Sequence, residues 1–211
     1  MPRRLSNVTA VAAGYVIGSV PVGLLLGKAL RRGLDVREHG SHSIGTTNVL
    51  RQLGPAAAAT TFALDVAKGA AAVGVARRLG ADREGQALAG FSAMVGHAWP
   101  VFAEFRGGKS VATGFGAMLP VTGWGSATAV AGGMWTLVGT RIVSLASMSA
   151  GASAVVGAAI EAKRTGNRVP LAFALLASGL IALRHSANIR RLLRGEEPRV
   201  SLSGRRGATS P

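Results

Sequence analysis

From Val8 to Leu183 the chain alternates long apolar runs with short polar connections, and this pattern constrains the fold more than any other feature. The runs cover roughly Val8–Leu30, Pro55–Ala76, Gln86–Phe105, Val111–Val138, Ile142–Ile160 and Val169–Leu183. The fourth is interrupted at Pro120-Val121-Thr122-Gly123-Trp124 and reads as two short helices joined by a turn. The expectation is an all-α integral membrane protein with about seven transmembrane helices. Several fall at or below the ~20 residues that a spanning helix needs, so protein neighbours must cover them. A mean hydropathy of +0.34 and a charged content of 16% are unlike a soluble domain. The 30 glycines let helices pack closely in lipid.

The chain lacks cysteine, which excludes disulfides and thiolate metal sites. No two of its four histidines stand four apart, the helix-face spacing of a common metal-binding pair, so no metal is expected. Arg3 and Arg4 precede an apolar run, as in a signal peptide. No small-residue cleavage site follows, and the run leads to Lys28, Arg31 and Arg32, so it reads as a retained first helix. Residues 1–194 form one polytopic domain in this reading, and 195–211 a basic, flexible tail. The formal charge of +15 would suit nucleic acid, but the basic residues punctuate apolar runs and only one tyrosine is present for stacking. Anionic lipids and anionic substrates account for the same charge. With the N-terminus outside, the odd loops and the tail carry most of the Lys and Arg, which places the C-terminus in the cytoplasm. The same parity gathers every polar, glycine-bearing loop on one face.

Four clusters carry chemistry. Arg106-Gly107-Gly108-Lys109-Ser110 sits between two apolar runs. Glycines admit close approach of a ligand, their N–H groups can line an anion, and the helix start beyond adds partial positive charge. A tight turn with a positive-inside lysine is the plainer alternative, and the spacing is not that of a soluble phosphate loop. Between Asp35 and Arg51, Ser41, Ser43, Thr47 and Asn48 offer hydrogen bonds to phosphate or glycerol oxygens, and Arg51 a bidentate grip. The same residues would also serve as ordinary caps of an interfacial loop. Ser144 and Ser147 share a helix face, although serines in membrane helices often bond their own backbone. His185 and Asn188 lie three apart at the end of the last run, where a histidine can carry a proton or a polar patch can meet headgroups. Asp65 and Lys68, three apart within the second run, read as a structural pair.

Together these clusters resemble the PlsY family, the bacterial membrane acyltransferases that use acyl phosphate and glycerol 3-phosphate. The resemblance extends from Gly18-Ser19-Val20-Pro21-Val22-Gly23 to His185-Ser186-Ala187-Asn188-Ile189. The family pattern Gly-Ser-Gly-Asn-x-Gly-Ala-Thr-Asn-x-x-Arg is matched by Ser41, Gly45, Thr47, Asn48 and Arg51. Its second motif is matched by Gly96, His97, Pro100, Phe102, Phe105, Gly107, Gly108, Lys109, Val111, Ala112 and Thr113. The resemblance implies seven helices with an external N-terminus. It implies transfer of a fatty acyl group from acyl phosphate to glycerol 3-phosphate, giving lysophosphatidic acid and phosphate, the first step of phospholipid synthesis. It implies no metal, nucleotide or coenzyme A, and a site at the cytoplasmic face of the bacterial cell membrane among membrane lipids.

In this reading Lys109, Arg51 and His185 are catalytic, His185 as candidate base. Ser41, Ser43, Thr47, Asn48, Gly107, Gly108, Ser110, Ser144 and Asn188 bind substrate, and Asp65 and Lys68 brace the site. Among the departures from the family, His42 and Ser43 stand where glycine and asparagine are usual, and Ser110 where glycine is. They define an alternative, a catalytically altered or inactive relative that binds lipid. A small anion transporter is the remaining rival. It is disfavoured because the polar groups cluster at one face and no inverted repeat is evident.

Overall fold

The structure is a computed structural model that describes residues 3–31 and 33–200. Among these residues all regular structure is helical. In chain order the helices are α1 (Arg3–Gly18), α2 (Val22–Leu30), α3 (Thr46–Leu53), α4 (Pro55–Arg78), α5 (Arg83–Ala98), α6 (Val111–Met118), α7 (Gly123–Thr140), α8 (Val143–Thr165), α9 (Val169–Arg184) and α10 (Ser186–Leu193).

The breaks follow from side-chain chemistry. The first apolar run is divided at Pro21, giving α1 and α2, where a continuous helix was expected. The third run ends earlier than expected, because Trp99-Pro100 terminates α5 and a short 3-10 turn over Val101–Ala103 follows. The fourth divides as expected, into α6 and α7, and the Thr122 hydroxyl caps α7 by accepting from the Gly125 amide at 3.0 Å. Two short helices were not anticipated. α3 lies inside the first polar loop, and α10 turns away from α9 by 65°. The turn is set by His185, whose backbone amide and ring Nδ1 both bond the Ile181 carbonyl, at 3.0 and 2.8 Å.

Small residues bring helix backbones into contact. A Cβ on Gly18 would overlap the Ala93 backbone of α5, and one on Gly116 would overlap the Val66 backbone of α4. The main core unites Val73, Met94, Met118, Phe173 and Ile181 from α4, α5, α6 and α9. The outward surface is apolar: Trp135 and Val138 on α7 are 85% and 74% exposed. Three helical stretches are long and apolar enough to cross a membrane, and a fourth qualifies if the bent pair α9–α10 is one span. The remaining helices are shorter. α6, at eight residues, is covered by α4, α5 and α9.

Candidate active site

The four clusters, distant in sequence, enclose one cavity of about 290 Å³. Arg51, Lys109, Ser144, His185 and Asn188 all face it, as do the Ser41, Ser43 and Thr47 positions of the first loop. Its walls include the first turns of four helices: Thr46-Thr47 of α3, Val111-Ala112 of α6, Val143-Ser144 of α8 and Asn188 of α10. Helix N-termini carry unpaired N–H groups and partial positive charge, so their convergence builds an anion site. The sequence pointed to one of these termini only.

The first loop is held by its own side chains. Asn48 is buried, donating from Nδ2 to the Val36 and Ser43 carbonyls at 2.7 and 2.8 Å while Oδ1 accepts from the Ser41 amide at 3.1 Å. Its polar atoms thus fix the loop, whereas the sequence reading gave them to substrate. Asp35 and Arg37 pair at 2.7 Å, and Arg37 also donates to the Ala103 carbonyl at 2.8 Å, tying this loop to the lysine turn. The paired Arg37 guanidinium, opposed in part by burial, lowers the Asp35 carboxyl below its ordinary value. His42 has φ +52, the left-handed region where glycine is easiest. Its Nδ1 donates to the Arg37 carbonyl at 2.9 Å, and the exposed ring does not line the cavity.

The glycines at 107 and 108 act differently from expectation. The Gly108 amide donates to the His97 carbonyl at 3.0 Å, so it is not presented to an anion. A side chain on Gly107 would strike the His97 carbonyl and Pro100, and one on Gly108 the His97 ring. Both are required for the turn to lie flat on the end of α5. Ser110 has φ +60 and donates from Oγ to the Met94 carbonyl at 2.6 Å, which turns its hydroxyl into the protein.

Lys109 projects the other way, donating from Nζ to Asn188 Oδ1 at 2.5 Å. Burial lowers its ammonium to a pKa of about 8, opposed by Glu197 and reinforced by Arg191, Arg51 and Arg184. Because the Ile181 carbonyl only accepts, His185 carries its proton on Nδ1, which leaves Nε2 as the acceptor in the neutral ring. Beneath the cavity, Asp65 and Lys68 pair at 2.8 Å, and Lys68 donates to the Val20 carbonyl at 2.9 Å and to His97 Nδ1 at 2.8 Å. His97 is a member of this network that sequence reasoning did not single out.

The family model for glycerol-3-phosphate acyltransferase matches residues 8–195. The chain belongs to the glycerol-3-phosphate acyltransferase family. It is an acyltransferase-family enzyme along nearly its whole length. The family's protein from Synechococcus sp. (strain CC9902) is 41% identical over 202 residues, covering 95% of this chain and 98% of the relative. That of Gloeobacter violaceus is 44% identical, covering 90% and 92%. The crystal structure of PlsY, an integral membrane glycerol 3-phosphate acyltransferase in its glycerol 3-phosphate form, superposes with a TM-score of 0.84 at 33% identity, covering 93% of this chain and 96% of that one. Its lysophosphatidic acid form gives 0.83 at 32%. The acyltransferase fold therefore places its polar cavity among apolar helices of a membrane protein.

Proposed function

We propose that this chain transfers a fatty acyl group from acyl phosphate to glycerol 3-phosphate at the cytoplasmic face of a bacterial cell membrane. The observation that carries the reading is the junction of two spaces. The polar cavity, ringed by helix N-termini, Lys109 and Arg51, adjoins an apolar groove of about 390 Å³ between α6, α7, α8 and α9. Phe62, Val111, Ala112 and Val143 line both. A donor with a phosphate head and an acyl tail fits that junction, and glycerol 3-phosphate fits the polar side.

Acyl phosphate is already activated, so orientation and charge stabilisation suffice without an enzyme nucleophile. The glycerol hydroxyl oxygen attacks the acyl carbonyl carbon. The new ester bond forms, the bond from that carbon to the phosphate oxygen breaks, and inorganic phosphate leaves. The hydroxyl proton passes to His185 Nε2 or to a phosphate oxygen. Lys109 and Arg51 balance the phosphate charges. Ser41, Ser43, Thr47, Ser144 and Asn188 orient the glycerol and phosphate oxygens. Asn48 and Ser110 shape the walls, Gly107 and Gly108 seat the lysine turn on the end of α5, and Asp65 with Lys68 braces the floor. No metal, nucleotide or nucleic acid enters this scheme.

Seven crossings with the N-terminus outside bring all four clusters to one face, and the distribution of Lys and Arg supports that arrangement. Residues 1–194 form one membrane domain in this proposal. Loss of catalysis through bulk at His42 is disfavoured, because that ring lies outside the cavity. The test supplies purified protein in detergent with palmitoyl phosphate and glycerol 3-phosphate, with palmitoyl-CoA as a parallel donor. Equal release of phosphate and lysophosphatidic acid from the first donor alone is expected. Turnover with palmitoyl-CoA and none with palmitoyl phosphate overturns the donor assignment.

A further inference from the structure

The sequence reading begins a flexible tail at Gly195, yet the chain there turns back onto the helical body. The Glu196 amide donates to the Arg191 carbonyl at 2.8 Å, and the Val200 amide donates to the Arg141 carbonyl at 2.8 Å. Between these anchors the Glu197 side chain reaches inward and is only 6% exposed. Its Oε1 accepts from Ser144 Oγ at 2.7 Å and from Asn188 Nδ2 at 2.5 Å, and its Oε2 accepts from Arg191 Nε at 2.7 Å. Burial pushes this carboxyl up, and the three bonds more than reverse that, leaving it below its ordinary value and ionised.

An ionised carboxylate only accepts, so the Asn188 amide must turn its nitrogen toward Glu197. Its oxygen then faces Lys109, which only donates. The order carboxylate, amide, ammonium is the only one in which every contact is favourable. We propose that Glu197 is a positioning residue for acyl transfer, fixing the orientation of Asn188 and through it the place of the Lys109 ammonium at the cavity. The inference rests on the acyltransferase reading above. It gives the C-terminal segment 195–200 a part in the site.

The groups acting on Lys109 come from every side. Arg51 comes from α3, Arg184 from the end of α9, Arg191 from α10 and Glu197 from the returning segment, with His185 also within electrostatic reach. Glu197 is the anion among these groups, opposing the burial and the three arginines that discharge the lysine, while Asp65, the other carboxylate lining the cavity, is paired with Lys68. The opposite role, a carboxylate plug that keeps phosphate out, predicts faster turnover when the charge is removed.

The test measures kcat/KM for glycerol 3-phosphate against pH in the parent, Glu197→Gln and Glu197→Asp. Glu197→Gln keeps the shape and loses the charge. Its kcat/KM falls about tenfold to a hundredfold, the range for losing a charge-assisted hydrogen bond, and the alkaline limb of its profile moves to lower pH. Glu197→Asp keeps the charge, so its limb stays with the parent's whatever its rate. The limb is read from the shape of the profile and is indifferent to how much of each variant folds. An unmoved limb in Glu197→Gln overturns the proposal, as does a rate above the parent's or a limb in Glu197→Asp displaced as far as in Glu197→Gln. A parent without phosphate release refutes the functional reading itself. An active parent with an unmoved Glu197→Gln limb refutes only this inference.

Discussion

The first loop and the C-terminal corner of the cavity are both rich in polar residues, and they use them in opposite ways. Between Asp35 and Arg51 most side-chain hydrogen bonds close within the loop, chiefly through Asn48 and the Asp35–Arg37 pair, while Ser41, Ser43, Thr47 and Arg51 face the cavity. At the C-terminal corner, Lys109 and Ser144 arrive from distant parts of the chain and bond the local group of Asn188, Arg191 and Glu197. A loop that satisfies itself contributes shape. A corner whose charges meet only after folding contributes field, and a field is what phosphate chemistry requires.

The largest expected effect follows from that field. Lys109→Ala lowers kcat/KM by roughly a hundredfold to a thousandfold or more, the scale of removing one preorganised charge or donor, with phosphate release as the assay and gel filtration in detergent as the check on folding. Asn48→Ala, by contrast, acts through stability. It strands two carbonyls and an amide in or near the buried loop, at about 3 kcal/mol, and its thermal midpoint in detergent falls well below the parent's. Asn188→Ala lowers the rate more than the midpoint. If Asn48→Ala keeps its midpoint while Asn188→Ala loses it, the division between shape and field is wrong.

The same contrast explains what was legible in the sequence. Apolar runs and prolines gave most of the helices, because a run's length and a proline's missing N–H act locally. The convergence of Lys109, Ser144, His185 and Asn188 was accessible through loop parity and family resemblance. Among the helix N-termini around the cavity, those of α3 and α10 were not, since both are amphipathic helices too short for periodicity to separate from loop. Gly107 and Gly108 misled for a related reason. Glycine permits both close approach of a ligand and close approach of a neighbouring helix, and only the position of His97 decides between them. Glu197 was hidden by its surroundings: a charged, proline-containing stretch after the last apolar run reads as tail, and its partners lie at Ser144 and Asn188.

A moderate effect is expected from pH. Burial puts the Lys109 ammonium at about 8, so the charged form dominates below that value and is lost above it. Glycerol 3-phosphate is fully ionised there and favours the charged lysine. Its KM should therefore rise above pH 8, approaching tenfold per unit while kcat changes less. Lys109→Arg, which stays charged, flattens that rise. A KM constant from pH 7 to 9.5 in the parent removes Lys109 from phosphate binding and shifts the field to Arg51 and the helix termini.

The smallest effect belongs to the residue that looks most foreign. His42 stands where glycine is usual in the resembling family, and its φ of +52 shows the conformation glycine would take without strain. A histidine there loses a little to that backbone shape. Its Nδ1 returns some of the loss by bonding the Arg37 carbonyl at 2.9 Å, and its ring stays clear of the cavity. The two contributions are each about 1 kcal/mol or less and oppose each other. His42→Gly should thus leave kcat/KM within about twofold and the thermal midpoint within a few degrees, since nothing in the field at the opposite corner depends on it. A tenfold rise in kcat/KM in this variant would mean that the histidine ring enters the substrate's space. It would also mean that more of the first loop than Ser41, Ser43, Thr47 and Arg51 meets the substrate.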